Sequence, residues 1–359
     1  MNREDLKFYE GKRVLVTGHT GFKGAWLCKI LMDAGAKVTG YALEPPTNPN
    51  LFSISGVEAG IYSVLGDIRD LKSLEKVFQE TQPELVLHLA AQPIVRESYG
   101  NPVYTYETNV MGTVHVCECV RRSSSVRSFL NVTTDKVYEN REWEWGYREN
   151  DPLDGYDPYS NSKSCSELVT HSYRSSFLKE QGVAVSTARA GNVIGGGDFA
   201  PDRIVPDCVR AVQEDRSILV RNPFSVRPYQ HVLEPLMAYL MIARKQYEDS
   251  RFADCYNVGP EDQDCVTTGT LVSLFCEKWK GGSSWENRGD HGPHEAGFLK
   301  LDCSRLKQVF GWRPVWNVEQ AIEKTVEWYQ EYLAGKDMAA CMERQIEAYL
   351  AGEKERNHV

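Results

Sequence analysis

A short, wholly apolar run, Val14-Leu15-Val16, leads directly into three glycines at two-residue spacing, Gly18-His19-Thr20-Gly21-Phe22-Lys23-Gly24. These open a stretch with apolar residues at helical spacing from Ala25 to Ala34. Few arrangements constrain a chain more. Glycines let the backbone turn sharply and let another group approach it closely. The helix amino terminus beyond them offers unpaired N–H groups and the positive end of a dipole. A strand, such a turn and a helix in that order make a diphosphate cradle, with Gly18, Thr20, Gly21, Phe22, Lys23 and Gly24 as its candidate residues.

The same alternation continues down the chain. Val38 to Leu43, Tyr62 to Leu65, Leu85 to Leu89, Phe129 to Val132 and Val183 to Ala188 read as strands. Asp70 to Thr81, about Val103 to Arg122 and about Tyr159 to Lys179 read as helices. Strands and helices at this pitch predict an α/β fold, a Rossmann-type doubly wound parallel sheet covered on both faces. After Gly191 the regularity weakens. Gly195-Gly196-Gly197 and the prolines at 201, 206, 223 and 228 punctuate shorter elements, and Gly281 to Gly297 reads as a loop. Ile322, Val326, Tyr329 and Leu333 then return to helical spacing. With no repeat and no long linker, the two parts are expected to pack closely.

Composition narrows the function classes. A chain of 359 residues, 42% hydrophobic, has ample material for a core. Its net charge of −9 argues against sequence-independent nucleic-acid binding, which needs clustered Lys and Arg, though a few arginines can still hold a small phosphorylated ligand. The ten cysteines include no Cys-x-x-Cys, and His291-Gly-Pro-His294 has no neighbouring Cys cluster, so no metal site is expected. The amino terminus lacks the apolar run of a signal peptide, and no stretch of about 20 apolar residues is present to span a bilayer. Scattered thiols then fit a reducing, cytoplasmic setting.

Tyr159-Ser-Asn-Ser-Lys163 places a phenol and an ammonium on one face at the start of a helix. A nearby cation favours the phenolate, so Lys163 is expected to lower the pKa of Tyr159 and make it a base for a hydroxyl group. The fifth strand ends Asn131-Val-Thr-Thr134-Asp135-Lys136, and the carboxyl ends of parallel strands face bound ligands. A hydroxyl, an acid and a base therefore confront Tyr159 across the site.

The glycine spacing, with Tyr159 and Lys163 shortly after the fifth strand, resembles the extended short-chain dehydrogenase/reductase family, the NAD-dependent epimerases and dehydratases. The likeness runs from Gly18 to Pro314 and is strongest for the branch of dehydratases that act on CDP-glucose. In the related epimerases a Ser-Ser run resembles the Thr134 segment; dehydratases acting on dTDP-glucose resemble it with Glu in place of Lys136. The resemblance implies NAD as cofactor, with Asp67 and Ile68 near the adenine and Leu89, Ala90 and Ala91 along the ribose and diphosphate. The absence of an arginine after the second strand, where Glu44 alone offers an acid, favours NAD over NADP. It also implies substrate contacts from Gln92, Asn192, Arg203, Arg221, Arg227 and Tyr229.

An epimerase needs only hydride removal and return. A dehydratase must also take a proton from carbon 5 and help the carbon 6 hydroxyl leave, which requires an acid and a base. The expectation is that Thr134 holds the 4-hydroxyl, Tyr159 removes its proton, a protonated Asp135 donates to the leaving hydroxyl, and a neutral Lys136 takes the carbon 5 proton or, as the alternative, stabilises the enolate. NAD would take hydride from carbon 4 and return it to carbon 6. The product would be CDP-4-dehydro-6-deoxyglucose, a precursor of dideoxy sugars in bacterial surface polysaccharides. The resemblance implies a sheet domain over 1–191 plus about 231–259, and a smaller substrate domain over about 192–230 plus 260–359. It further implies a homodimer, or a dimer of dimers, built on helices 103–122 and 159–179. The competing readings are a dehydratase or epimerase for another nucleotide sugar, and a dinucleotide-sensing regulator that has lost catalysis.

Overall fold

Seven parallel strands form the centre of the protein. In this computed structural model, which describes residues 1–289 and 296–356, the strands are β1 Arg13–Thr17, β2 Lys37–Ala42, β3 Tyr62–Leu65, β4 Leu85–His88, β5 Ser128–Val132, β6 Ala184–Ala190 and β7 Cys255–Val258. They lie in the order β7-β6-β5-β4-β1-β2-β3. Val14 pairs with both Val38 and Leu85, which fixes the register at the centre. The strand order reverses between β1 and β4, and the crevice at their carboxyl ends is where such sheets bind ligands. Every residue of β4, β5 and β6 is buried, the polar Ser128, Asn131, Ser186, Thr187 and Arg189 among them.

Two apolar layers cover the sheet. On one face, helices Leu71–Thr81, Gly112–Arg122 and Pro158–Tyr173 pack over Leu15, Val86 and Phe129. On the other, Phe22–Asp33 and Leu233–Glu248 cover Val16, Leu87 and Leu130, and that layer continues into the carboxy-terminal helices Val318–Leu333 and Met338–Arg356. Trp26 and Trp328, both fully buried, lie in this shared layer, so the carboxy-terminal part has no core of its own.

The helices expected at about 103–122 and 159–179 are present, helix 102–122 with a π-helical turn over Glu107–Met111 and the Tyr159 helix running into another over Arg174–Leu178. Both add a residue to a turn, which periodic spacing does not register. The stretch expected to be a loop is corrected: it contains a strand, Trp285–Asn287, paired in parallel with Ile218–Val220. His291 and His294 lie outside the described residues. No helix among those residues is long and apolar enough to cross a membrane, and the ten cysteines are free.

Candidate active site

The site is assembled at the carboxyl ends of β1, β4, β5 and β6. After β1, Gly18 adopts φ +78°, and a Cβ there would come within 2.8 Å of the Ala90 nitrogen. Only glycine lets the β1 turn nest against the β4 turn at Leu89-Ala90. Thr17 Oγ1 accepts from the N–H groups of both Leu89 and Ala90 (3.2 Å each) and pairs with His88 at 2.7 Å, tying the two strand ends together. Gly21 caps the helix that begins at Phe22 and donates its own N–H to the Gly18 carbonyl at 3.2 Å, so the space above it offers an approaching group the N–H groups of the helix's first turn. Thr20 turns away from that space and donates to the Leu43 carbonyl. These residues fit a dinucleotide: a diphosphate can rest on the Gly21–Phe22 helix terminus, flanked by Leu89, Ala90 and Ala91.

Asp67 pairs with Arg69 at 2.7 Å, and its carbonyl accepts from Tyr41. The Ile68 side chain is buried beneath Gly112, so at this residue only the backbone can face a ligand. His19, in the glycine turn, carries no role that its spacing announces. Its ring is buried against Gly40 and Phe52 and bonds the Ser63 hydroxyl at 2.7 Å, and burial lowers its pKa to about 4.

The catalytic candidates come from two elements. Thr134 caps the single 3-10 turn Asp135–Val137 that follows β5, and it donates to Asp135 Oδ1 at 2.9 Å. Asp135 is 1% exposed, and its Oδ2 has no hydrogen-bond partner among the described residues. Behind it stands Gly191, where a Cβ would lie 1.9 Å from that oxygen, so the end of β6 presses bare backbone onto the carboxylate. Lys136 is half-buried and lines the cleft.

The Tyr159 helix starts at Pro158 behind Asp157, whose side chain accepts from Ser160 N at 2.9 Å. That cap, with Pro at the first position, aims the first turn at the β5 end. Lys163 is 6% exposed and donates to the Val132 carbonyl at 3.2 Å.

Electrostatics here depart from the expected lowering of Tyr159. Burial raises its phenol to about 12; a hydrogen bond with Thr134 works against that rise, and the negative charge of Asp135 adds to it. Lys163 is pulled down to about 7 by its own burial and by the charge of Lys23, with Glu167 opposing. The expected mechanism needs Lys163 to be a cation, and its desolvated position disfavours that charge. Lys23 sits at about 8, lowered by burial and by Arg203, and raised by Asp135 and Asp198. Lys23, expected among the cofactor residues, therefore reaches the catalytic end of the cleft.

That cleft, of about 320 Å³, joins Lys23, Thr134, Asp135, Lys136 and Tyr159 to the segments after β6. Asn192 holds φ +45° at its rim. Arg203 pairs with Asp198 at 3.1 Å, Arg221 with Asp202 at 2.8 Å, and Arg227 donates to the Val226 carbonyl at 3.1 Å and to the Ala296 carbonyl. Tyr229 bonds Thr268 at 2.9 Å. All five expected residues from Asn192 onward line the cleft. Gln92 does not. Its amide donates to Thr105 at 3.0 Å and its oxygen accepts from Ile94 N, so it turns inward and holds the wall Pro93–Arg96 in place. Asp198 and Thr268 carried no local sequence signal.

Comparison with known proteins agrees with this geometry. The family model described as GDP-mannose 4,6 dehydratase matches residues 15–325. A Salmonella typhimurium protein named CDP-glucose 4,6-dehydratase is 47% identical over 353 residues, 97% of this chain and 98% of that protein. A Xanthomonas campestris dTDP-glucose 4,6-dehydratase is 29% identical, over 88% of this chain and 92% of its own. Among solved structures, the Bacillus anthracis dTDP-glucose 4,6-dehydratase in complex with NAD shares the fold with a TM-score of 0.76 at 23% identity, over 89% of this chain and 97% of that one. A nucleotide-binding parallel sheet, an acid and a base after β5, and a match over most of its length to a dehydratase model and to a dehydratase at 47% identity place this chain in the GDP-mannose 4,6 dehydratase family.

Proposed function

We propose that the protein removes water from CDP-glucose to give CDP-4-dehydro-6-deoxyglucose, using NAD that leaves the cycle as it entered. The observation that carries this reading is Thr134-Asp135-Lys136 set against Tyr159 in a cleft that Arg203, Arg221 and Arg227 also line. The 47% identity to a protein named for CDP-glucose selects the nucleotide. NAD, held on the Gly18–Gly24 turn, supplies reversible hydride storage.

The chain's own groups do the remaining work. Thr134 holds the 4-hydroxyl oxygen and Tyr159 takes its proton. Lys163, titrating near 7, favours the phenolate whenever it is charged. Oxidation at carbon 4 acidifies the carbon 5 proton, which Lys136 removes, while Asp135 protonates the leaving hydroxyl at carbon 6 and water departs; the hydride taken from carbon 4 would then be returned to carbon 6 as Lys136 gives a proton back to carbon 5. Arg203, Arg221 and Arg227 orient the diphosphate and nucleotide with Tyr229, and Asn192 contacts the sugar side. Planar guanidinium groups suit that clamp.

The test is to incubate the protein with NAD and CDP-glucose and read the keto sugar by its absorbance in alkali. Asp135→Asn is expected to lower the rate by about hundredfold. Lys136→Met is expected to abolish solvent exchange at carbon 5 together with turnover, and retained exchange at normal turnover would contradict its role as base.

The working unit in this proposal is a homodimer. Helix 102–122 and the Tyr159 helix pack side by side and expose Val103, Met111, Leu168 and Phe177, a set of large apolar side chains that a second copy would cover. The ten free thiols support a reducing, cytoplasmic setting.

A further inference from the structure

Tyr159, Lys163 and Glu167 follow one another at four-residue steps, so one face of a single helix carries all three. Glu167, 4% exposed, accepts from Thr133 Oγ1 at 2.5 Å with one oxygen. Its other oxygen accepts from Thr187 Oγ1 at 2.7 Å and from Arg189 at 2.9 Å. Arg189 is 3% exposed; its second arm donates to the Tyr138 hydroxyl at 2.8 Å and to the Glu149 carbonyl at 2.9 Å. Tyr138 in turn donates to Asn257 at 2.6 Å.

One buried ion pair thus grips both ends of the segment that carries Thr134, Asp135 and Lys136, at Thr133 before them and at Tyr138 after them. The helix adds a third hold, where Ser164 Oγ donates to the Val137 carbonyl at 2.7 Å. Strand β5 has already ended at Val132, so beyond the backbone bond from Thr133 N to the Ala188 carbonyl (2.9 Å) side chains supply much of the hold on this segment. Ordinary packing does not call for such an arrangement, since a buried ion pair brings little net stability over apolar side chains of similar volume.

We propose that Glu167 and Arg189 are positioning residues for the dehydration, setting Thr134, Asp135 and Lys136 at their working distance from Tyr159 through Thr133 and Tyr138. This rests on the dehydratase reading above, so the parent protein's turnover of CDP-glucose is measured first; failure there counts against that reading and not against this one.

The test removes the two links and leaves the ion pair whole. Thr133→Val and Tyr138→Phe each delete one hydroxyl, and each is expected to lower kcat severalfold. Together they lower it by about tenfold or more, because small displacements of catalytic groups are costly. KM for CDP-glucose stays within about twofold, since the lost interaction acts on the reacting centre and not on substrate binding. A merely structural role would lower the unfolding temperature without that split between kcat and KM. Glu167→Gln is expected to cost at least as much in kcat as Thr133→Val. A folded double variant that turns over at the parent rate, or a loss that falls wholly on KM, would overturn the proposal. If the double variant does not fold, Thr133→Val decides alone by the same criteria.

Discussion

At Lys163 two requirements compete. The chemistry calls for a cation next to Tyr159, and the fold buries that amine against Val132, with Lys23 repelling it and Glu167 attracting it. His88, itself lowered to about 3 by burial and by Lys163, adds no charge in the neutral range. The folded protein holds the Lys163 proton only up to about 7, while the unfolded chain holds it to the ordinary 10.5. Between those values the unfolded state binds the extra proton, so the stability contributed by this group rises with pH through that window, and its cost is fully present below about 7. Lys163→Met is therefore expected to unfold at a higher temperature than the parent at pH 6, with the difference shrinking as pH approaches 10. A difference independent of pH would show that burial does not hold the proton off this amine. The same substitution should abolish turnover, which separates the residue's catalytic value from its structural cost.

Among the elements, the end of β6 shows how backbone shape serves chemistry. Gly191 is the first residue after β6, and it presses directly onto Asp135. Gly191→Ala would drive a methyl group into the carboxylate. The expected outcome is a loss of about hundredfold in kcat from the displaced acid, a protein that still folds, and little change in KM. An unchanged kcat would mean that the orientation of Asp135 does not matter. The elements differ in how readily the sequence shows them. Strands β4 to β6 are legible because a parallel sheet covered on both faces favours short runs rich in apolar residues. The candidate set is legible because strand ends and helix starts place Thr134 and Tyr159 without knowledge of tertiary contacts. The strand Trp285–Asn287 is not, since it is short, largely exposed and paired with Ile218–Val220 far away in the chain. Gln92 stands beside expected wall residues but turns inward toward Thr105, a choice set by packing with no periodic trace. Glu167 could have been found from its spacing after Lys163, whereas Arg189 joins it only through the pairing of β5 with β6.

For the whole molecule, the continuous core under Trp26 and Trp328 means that the carboxy-terminal part cannot shift as an independent body without opening apolar surface. The cleft between the two parts is accordingly preformed, and binding should reorganise side chains more than elements. Arg203 and Arg221 are already engaged by Asp198 and Asp202, so a diphosphate must compete for them. The exposed apolar side chains on helix 102–122 and the Tyr159 helix predict a dimer in sedimentation velocity. Met111→Arg together with Leu168→Arg is expected to give monomers by placing charge in the contact, and a parent protein that sediments as a monomer would contradict this.

Loss of water from one nucleotide sugar is read directly by mass spectrometry. The purified protein is incubated with NAD and, in parallel, with CDP-, dTDP-, UDP- and GDP-glucose and GDP-mannose. CDP-glucose is expected to lose the mass of one water faster than any of the others, with NAD recovered in its oxidised form. No loss of water from any of the five, or faster loss from a sugar carrying another base, would rule out a dehydratase for CDP-glucose.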